Sequence, residues 1–310
     1  MVGRDLIYDL ASLFQLLLPK AMFRGANILD AGCGSGHRLV AFAKRFPEAR
    51  FTGIDMTERS IELAGQLAAQ HGVNNIRFLR RNLLDPDLDL PDTFDIITST
   101  GVVHHLEDPT TGLANLCRLL APEGFISVWL YHAIGEFRRL NGRELLRTLW
   151  TDDEDQAAGV SVMRDLELSL ATRQYGSSAA QSVDQEAIDV DAFLHPIVKA
   201  YRFGEALQMF ADCPVDWVAV NGINMLGESK LVDLDEVEEE LRPLCVPVDV
   251  LLKTEALQSR YRSLNKADKL RTLELLTEPT GFTVLAGRGG SLSKLGPRVR
   301  GNCTLLRLGA

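Results

Sequence analysis

The chain has 310 residues, 46% hydrophobic and 24% charged, with a net charge of −9 and a pI near 5.3. That composition suits one large globular domain, or a domain with a sizeable insertion. The acidic balance argues against nucleic acid as a partner, which calls for a basic footprint. Five scattered cysteines without a C-x-x-C pair argue against structural zinc and for a reduced, cytoplasmic setting.

Residues 5–18 place Leu6, Leu10, Leu13 or Phe14, and Leu17 at helical spacing before Pro19. Asp5, Asp9 and Gln15 interrupt the run and no small-residue cleavage site follows, so it reads as an edge helix rather than a leader. No stretch approaches the roughly 18 apolar residues of a membrane span, so no membrane partner is expected.

Residues 27–37, NILDAGCGSGH, form an apolar strand that carries Asp30 and runs into a glycine turn. Gly32, Gly34 and Gly36 alternate with Cys33 and Ser35, and 38–45 is the following helix. Glycine permits positive φ in such a turn and lets a ligand approach the backbone. The spacing is G-x-G-x-G, with His37 where a dinucleotide fingerprint places its third glycine. A second strand, 49–54, ends in Asp55, nineteen residues after Gly36, where a carboxylate can accept both ribose hydroxyls of an adenosine. Met56 follows and could lie on an adenine face. Thr57 or Ser60 can cap a helix over 61–71.

A third strand covers 76–79, followed by RRNLLDPD, and a fourth covers 94–98 and leads into STGVVHHLEDP. A helix over 113–120 and the turn Pro122-Glu123-Gly124 precede a fifth strand, 125–131. Strands alternating with helices predict a parallel sheet, with ligands at the C-terminal strand ends. Asp30, Asp55, Asn82, Gly101 and Tyr131 stand at such ends.

D-A-G-C-G-S-G, then G-I-D, then G-V-V-H-H-L-E-D-P resembles a class I S-adenosylmethionine-dependent methyltransferase of the broad methyltransferase-11/12 type, over about residues 27–131. The resemblance implies an α/β, Rossmann-like class I methyltransferase fold: a seven-stranded, mostly parallel sheet flanked by helices, here with helical insertions. It implies S-adenosyl-L-methionine as cofactor and S-adenosyl-L-homocysteine as product. Asp30 would position the methionyl end; Gly32, Cys33, Gly34 and Gly36 would line it with backbone; and Asp55 would take the ribose. Met56, Asn82 and Leu83 would frame the adenine, although the commoner family residue near Asn82 is Asp. Thr100 and Gly101 open the loop expected beside the sulfonium. Adjacent histidines cannot both point one way, so His105 is expected to face the site and His104 to be packed. In such enzymes N-terminal segments often fold over the cofactor, which would make Tyr8 a lid residue.

The expected organisation is an edge or lid helix (1–20), a donor-binding core (21–133), a helical cap insertion (134–200), the rest of the core (201–290) with a helical insertion at 228–278, and a basic tail (291–310). Helices are expected over 136–149 and 158–172. Residues 151–191 hold ten acids against two basic residues, either a solvated face or a cap favouring a cationic or zwitterionic acceptor. Asp189, Asp191 and His195 resemble a metal trio by composition only. The reading taken is no metal, with His195 lining the acceptor pocket. A helix at 203–210, a sixth strand at 217–221, helices at 235–241 and 254–277 and a last strand at 282–286 complete the chain. The tail from residue 286 carries five basic residues and no acid, suiting a counter-charge to the cap, a dimer contact or, least well, RNA.

Methyl transfer from a sulfonium leaves a neutral thioether, so the leaving group needs no acid. A base is needed only where the acceptor must lose a proton; His105, His132 or His195 could serve. The function expected is methyl transfer to a small polar acceptor, such as an amino acid or amino-acid-like thioether. A methyltransferase of a macromolecule (a protein side chain or tRNA) and a non-catalytic sensor are the alternatives.

Overall fold

The computed structural model describes residues 20–150, 155–170, 185–225, 228–234 and 239–294. Its centre is one sheet. The first five strands are β1 (Asn27–Ala31), β2 (Arg50–Asp55), β3 (Ile76–Arg80), β4 (Phe94–Thr100) and β5 (Leu120–Tyr131). After them come β6 (Trp217–Met225), β7 (Glu228–Leu231) and β8 (Gly281–Gly287), and the spatial order is β3-β2-β1-β4-β5-β8-β6-β7. The first five pair in parallel; β8 runs antiparallel to both β5 and β6, and β7 antiparallel to β6. The central strands β1, β4 and β6 are buried along nearly their whole length, between apolar clusters on both faces.

Among the described residues the sheet has eight strands where seven were expected. The added strand, β7, lies within 228–278, where the sequence predicts a helical insertion. Its four residues, ESKL, show no alternation to mark a strand, and its hairpin pairing with β6 supplies the order instead. Strand β6 also runs four residues past its expected end.

Helices α1 (His37–Arg45), α2 (Glu58–Gln70) and α3 (Pro109–Arg118) connect the parallel strands. Helix α3 begins earlier than its apolar pattern suggests, because Asp108 accepts from Thr111 N at 3.0 Å and Pro109 opens the first turn. Helices α4 (Phe137–Leu149), α5 (Gln156–Asp165) and α6 (Gln185–Leu194) bury a separate small core around Leu146, Trp150, Met163 and Phe193. The described part of 158–172 leaves the helix after Asp165, with Glu167 at φ 54°.

Helix α7 (Phe203–Gln208) leads to β6, and α8 (Val248–Leu251), α9 (Glu255–Arg262) and α10 (Lys266–Thr277) precede β8. The stretch 254–277 is two helices rather than one, because Asn265 accepts from Asp268 N at 2.9 Å and starts α10 afresh. Of the helix expected over 235–241, residues 235–238 lie outside the described residues and Glu239–Leu244 is a 3-10 turn containing Pro243. The expected helix 5–18 with Tyr8, the acidic run 152–154 and the tail beyond 294 also lie outside the described residues.

Candidate active site

The glycine turn joins β1 to α1 and is held from two sides. Gly32 N and Cys33 N both donate to Ile54 O, at 2.8 and 2.9 Å. Gly34 N donates to Asp55 Oδ2 at 3.0 Å, while Asp55 Oδ1 accepts from Thr57 N at 2.9 Å and from the Thr57 hydroxyl. The Asp55 carboxylate therefore sets the shape of the turn. Gly32 lies at φ 82°, and a Cβ there would stand 2.2 Å from Val102 Cγ2. Gly34 lies at φ 52° with nothing within 4 Å of a Cβ, so the turn is open on that side.

Asp30 is only 3% exposed and accepts from Thr98 Oγ1 at 2.9 Å. Burial pushes its carboxyl pKa up, against the pull of the Arg38 charge. Arg38 Nη2 donates to Thr100 O at 3.2 Å and ties α1 to the end of β4. Burial pushes the Cys33 thiol up and keeps it protonated. Met56 is 66% exposed at the end of β2. Asn82 turns onto its own loop, accepting from Leu84 N at 3.0 Å. Leu83 is buried, and its carbonyl takes Asn115 Nδ2 at 2.8 Å, so its side chain belongs to the core.

Beyond Thr100, Gly101 turns the chain at φ 75° into a 3-10 turn, Val103–His105. His104 points inward, 0% exposed, against Tyr131 at 4.0 Å and Trp129 at 5.8 Å between ring centroids. Burial holds it well below the usual histidine range. His105 Nδ1 meets Ile197 O at 2.7 Å, which places its proton on Nδ1 and leaves Nε2 as a lone pair. Burial lowers its pKa to about 4, with the Ile197 carbonyl working in the opposite direction. His195 Nδ1 reaches the same carbonyl at 2.7 Å, and the two rings lie 4.1 Å apart.

Residues 195–201 bring this pair together by crossing the strand ends. Lys199 N donates to His104 O at 2.9 Å and Lys199 Nζ to Glu107 O at 2.6 Å, while Tyr201 N donates to Tyr131 O at 3.0 Å. Arg143 fixes the start of the crossing: its guanidinium donates to Phe193 O at 2.8 Å, in the last turn of α6, and to His195 O at 2.6 Å, just past it. Asp189 is spent on Ser169 Oγ (2.7 Å) and Leu170 N (2.8 Å). Among the described residues no group of three His, Cys, Asp or Glu side chains could hold a metal. His132 leaves the set of candidate bases, because it is buried and its Nε2 is committed to Glu274 at 2.9 Å.

Sequence reasoning missed Arg139 and Glu136. Arg139 is 2% exposed, lies 3.8 Å over the Tyr131 ring and pairs with Glu136 Oε2. The signal was present: Arg139, Gly142, Arg143 and Leu146 form the buried face of α4 at helical spacing, with arginines where apolar residues are usual.

Residues 23–163 match the family model of a methyltransferase domain. The chain carries a class I S-adenosylmethionine-dependent methyltransferase domain. An uncharacterised protein of Synechococcus sp. is 30% identical to it over 270 residues, 84% of this chain and 60% of that protein. The uncharacterised methyltransferase YcgJ of Bacillus subtilis is 35% identical over 113 residues, 35% of this chain and 42% of that protein. The chain thus spans about half the length of these relatives. PKMT2 of Rickettsia typhi, solved in complex with AdoHcy, aligns with a TM-score of 0.58 at 18% identity over 87% of this chain and 50% of its own. That likeness extends the methyltransferase fold beyond residue 163, to most of the chain. Among the described residues no helix is long and apolar enough to cross a membrane.

Proposed function

We propose that the protein transfers the methyl group of S-adenosylmethionine to a small polar acceptor, in the cytoplasm, by in-line displacement at sulfur, nitrogen or oxygen. One observation carries the reading. The glycine turn touches Val102, and the 3-10 turn that Val102 opens ends at His105, so donor side and histidine side share one wall. The open side of Gly34, next to the Asp55 carboxylate, fits the cofactor's methionyl and ribose parts. Bound there, the cofactor supplies an electrophilic methyl and departs as a neutral thioether. The rest falls to the chain: holding the acceptor within near-attack distance and keeping water out. The 195–201 crossing and α4 enclose Tyr131, His104 and Arg139, which favours a small acceptor over a macromolecule. An amino acid or amino-acid-like molecule is the acceptor class inferred.

His105 Nε2 is the candidate base for a hydroxyl or ammonium acceptor; a thioether would need none. Incubation with methyl-labelled S-adenosylmethionine and a cell extract, divided by a size cut-off filter, tests the reading. Acceptor-dependent label in the filtrate supports it, and label held above the filter moves the argument to a protein or tRNA substrate.

Asp55→Ala should weaken AdoHcy binding by about 1–3 kcal/mol, through lost ribose contacts and a loosened Gly34. Unchanged affinity by titration calorimetry would sink the ribose assignment. His105→Gln should lower turnover far more than AdoHcy affinity. Its limb of the pH profile should lie near pH 4, activity falling below that as Nε2 takes a proton and holding flat above. Equal losses in turnover and affinity would make His105 structural.

A further inference from the structure

Resting on the methyltransferase reading, we infer that Arg143 and Arg147 are positioning residues for the candidate base: through the 195–201 crossing they keep the His105 proton on Nδ1 and its Nε2 free to accept. They act on the backbone that presents the Ile197 carbonyl to His105.

Successive carbonyls of this segment are held by different partners. Arg143 Nη1 donates to Ala192 O at 3.2 Å and to Phe193 O at 2.8 Å, and Arg143 Nη2 donates to His195 O at 2.6 Å. Arg147 Nη2 donates to Pro196 O at 2.6 Å. The two arginines stand four residues apart on α4, so their guanidiniums follow the segment as it leaves α6. The next carbonyl, Ile197 O, meets His105 Nδ1 instead, at 2.7 Å. Lys199 N then donates to His104 O at 2.9 Å and Lys199 Nζ to Glu107 O at 2.6 Å, pinning the far end beside the 3-10 turn that carries His105. The Ile197 peptide is thus held from both ends.

Arg143 is only 5% exposed. Burying a guanidinium is costly unless its donors are met, and here three main-chain carbonyls of one segment meet them. Burial and the Arg147 and Arg139 charges lower its pKa only to about 10, and Asp191 supports the charge, so it donates as a cation at neutral pH. Charged donors make the stronger hydrogen bonds. What the burial secures is the path of the backbone.

That path decides the chemistry of His105. The ring nitrogen that carries the proton is set by the hydrogen bonds the ring makes. With Ile197 O in place, Nδ1 must donate and Nε2 keeps its lone pair. With the carbonyl withdrawn, that constraint is lifted and the proton divides between the two nitrogens. The same carbonyl lies 2.7 Å from His195 Nδ1, nearer than Ile197 N at 3.2 Å, so one carbonyl sets both rings.

The test is 15N NMR of the histidine rings in the full chain, without cofactor or acceptor, with His105 assigned through His105→Gln. Protonated and bare ring nitrogens resonate far apart, so the tautomer is read directly. The wild type should show a protonated Nδ1 and a bare Nε2 at neutral pH. In Arg143→Gln the tautomer ratio should move towards Nε2–H by roughly tenfold, the net worth of about one hydrogen bond. Arg147→Ala, at an exposed position, should move it the same way by less. AdoHcy affinity should hold in both. A wild-type His105 protonated on Nε2 overturns the inference without any variant. So does an unchanged ratio in Arg143→Gln or, if circular dichroism shows that variant unfolded, in Arg147→Ala. A merely structural role would lower the urea midpoint and leave the ratio alone, and a loss of AdoHcy affinity as large as the tautomer shift would make the effect global and also overturn the positioning role. Because no cofactor enters the NMR measurement, its failure leaves the methyltransferase reading standing, and wild-type failure to bind AdoHcy counts against that reading alone.

Discussion

Gly32→Ala should destabilise the protein by roughly 2–5 kcal/mol and remove AdoHcy binding with it. Two effects add. Gly32 sits at φ 82°, where an L-residue is disfavoured by about 1–2 kcal/mol. The new methyl would also stand 2.2 and 2.7 Å from the two Cγ atoms of Val102, an overlap worth roughly 1–3 kcal/mol. Val102 cannot swing clear easily, since a β-branched side chain is stiff at χ1. Its carbonyl also accepts from His105 N at 2.8 Å, so moving its backbone moves the candidate base. Gly34→Ala is the informative contrast. It has a positive φ but no clash, so it should cost the fold only about 1 kcal/mol while its methyl obstructs the open side of the turn. Urea unfolding and AdoHcy calorimetry on both variants separate stability from binding. The double variant Gly32→Ala, Val102→Ala should recover stability if the overlap is the cause. A Gly32→Ala protein as stable as the wild type would show that the turn relaxes and that Val102 is not a wall of the site.

Local chemistry made much of the donor half legible. Glycines at alternate positions after an apolar strand, and Asp55 at the end of the next strand, produce their turn through contacts within about twenty residues, and pattern reports such contacts well. The parallel strands were legible for a different reason, since each carries a short cluster of apolar residues between turn signals. Strand β7 was not. Its order comes from pairing with β6, and a four-residue polar edge strand carries no periodicity of its own. The break between α9 and α10 was readable in principle from Asn265 and Asp268, a cap hidden inside an otherwise helical pattern.

The acceptor half was legible in its residue types and not in its assembly. His105 and His195 could each be singled out, but their meeting at one carbonyl depends on the 195–201 crossing, which joins residues some ninety positions apart. Arg139 went unremarked because an arginine in a helix usually means a wet face. Here it stands on the ring of Tyr131, and only the packing of α4 against the end of β5 reveals it. Acidity along 151–191 suits either a solvated face or a cap favouring a cationic or zwitterionic acceptor, and within it Asp155 caps α5 while Asp189 accepts from a hydroxyl and a backbone N–H. Charge counted along a chain cannot separate carboxylates that face a ligand from those that hold the chain.

Glu274→Leu should lower stability by roughly 3–5 kcal/mol, the usual consequence of removing one partner from a buried charged network. This carboxylate, on α10, gathers three elements. It accepts from His132 Nε2 at 2.9 Å, from Phe203 N at 2.8 Å and from Arg202 Nη2. Ile134 N donates to His132 Nδ1 at 3.2 Å, which leaves the His132 proton on Nε2, facing the carboxylate. Burial pushes Glu274 up, but the three donors outweigh it and hold the pKa at about 2, below the ordinary 4.5. A carboxyl depressed on folding contributes stability that is whole above its unfolded pKa and is lost as pH falls towards the folded one. The sensitive window is therefore about pH 4.5 down to 2, and the loss across it is on the order of 3 kcal/mol. Glu274→Gln should show that loss already at neutral pH, because its amide N–H₂ turns a donor towards the donors of His132 or Arg202. Within the acid window its urea midpoint should fall less steeply than that of the wild type. An equally steep fall would place the acid-labile group elsewhere. AdoHcy affinity at neutral pH should stay close to wild type in Glu274→Gln, since the network secures the exit of β5 and the start of α7 rather than the glycine turn.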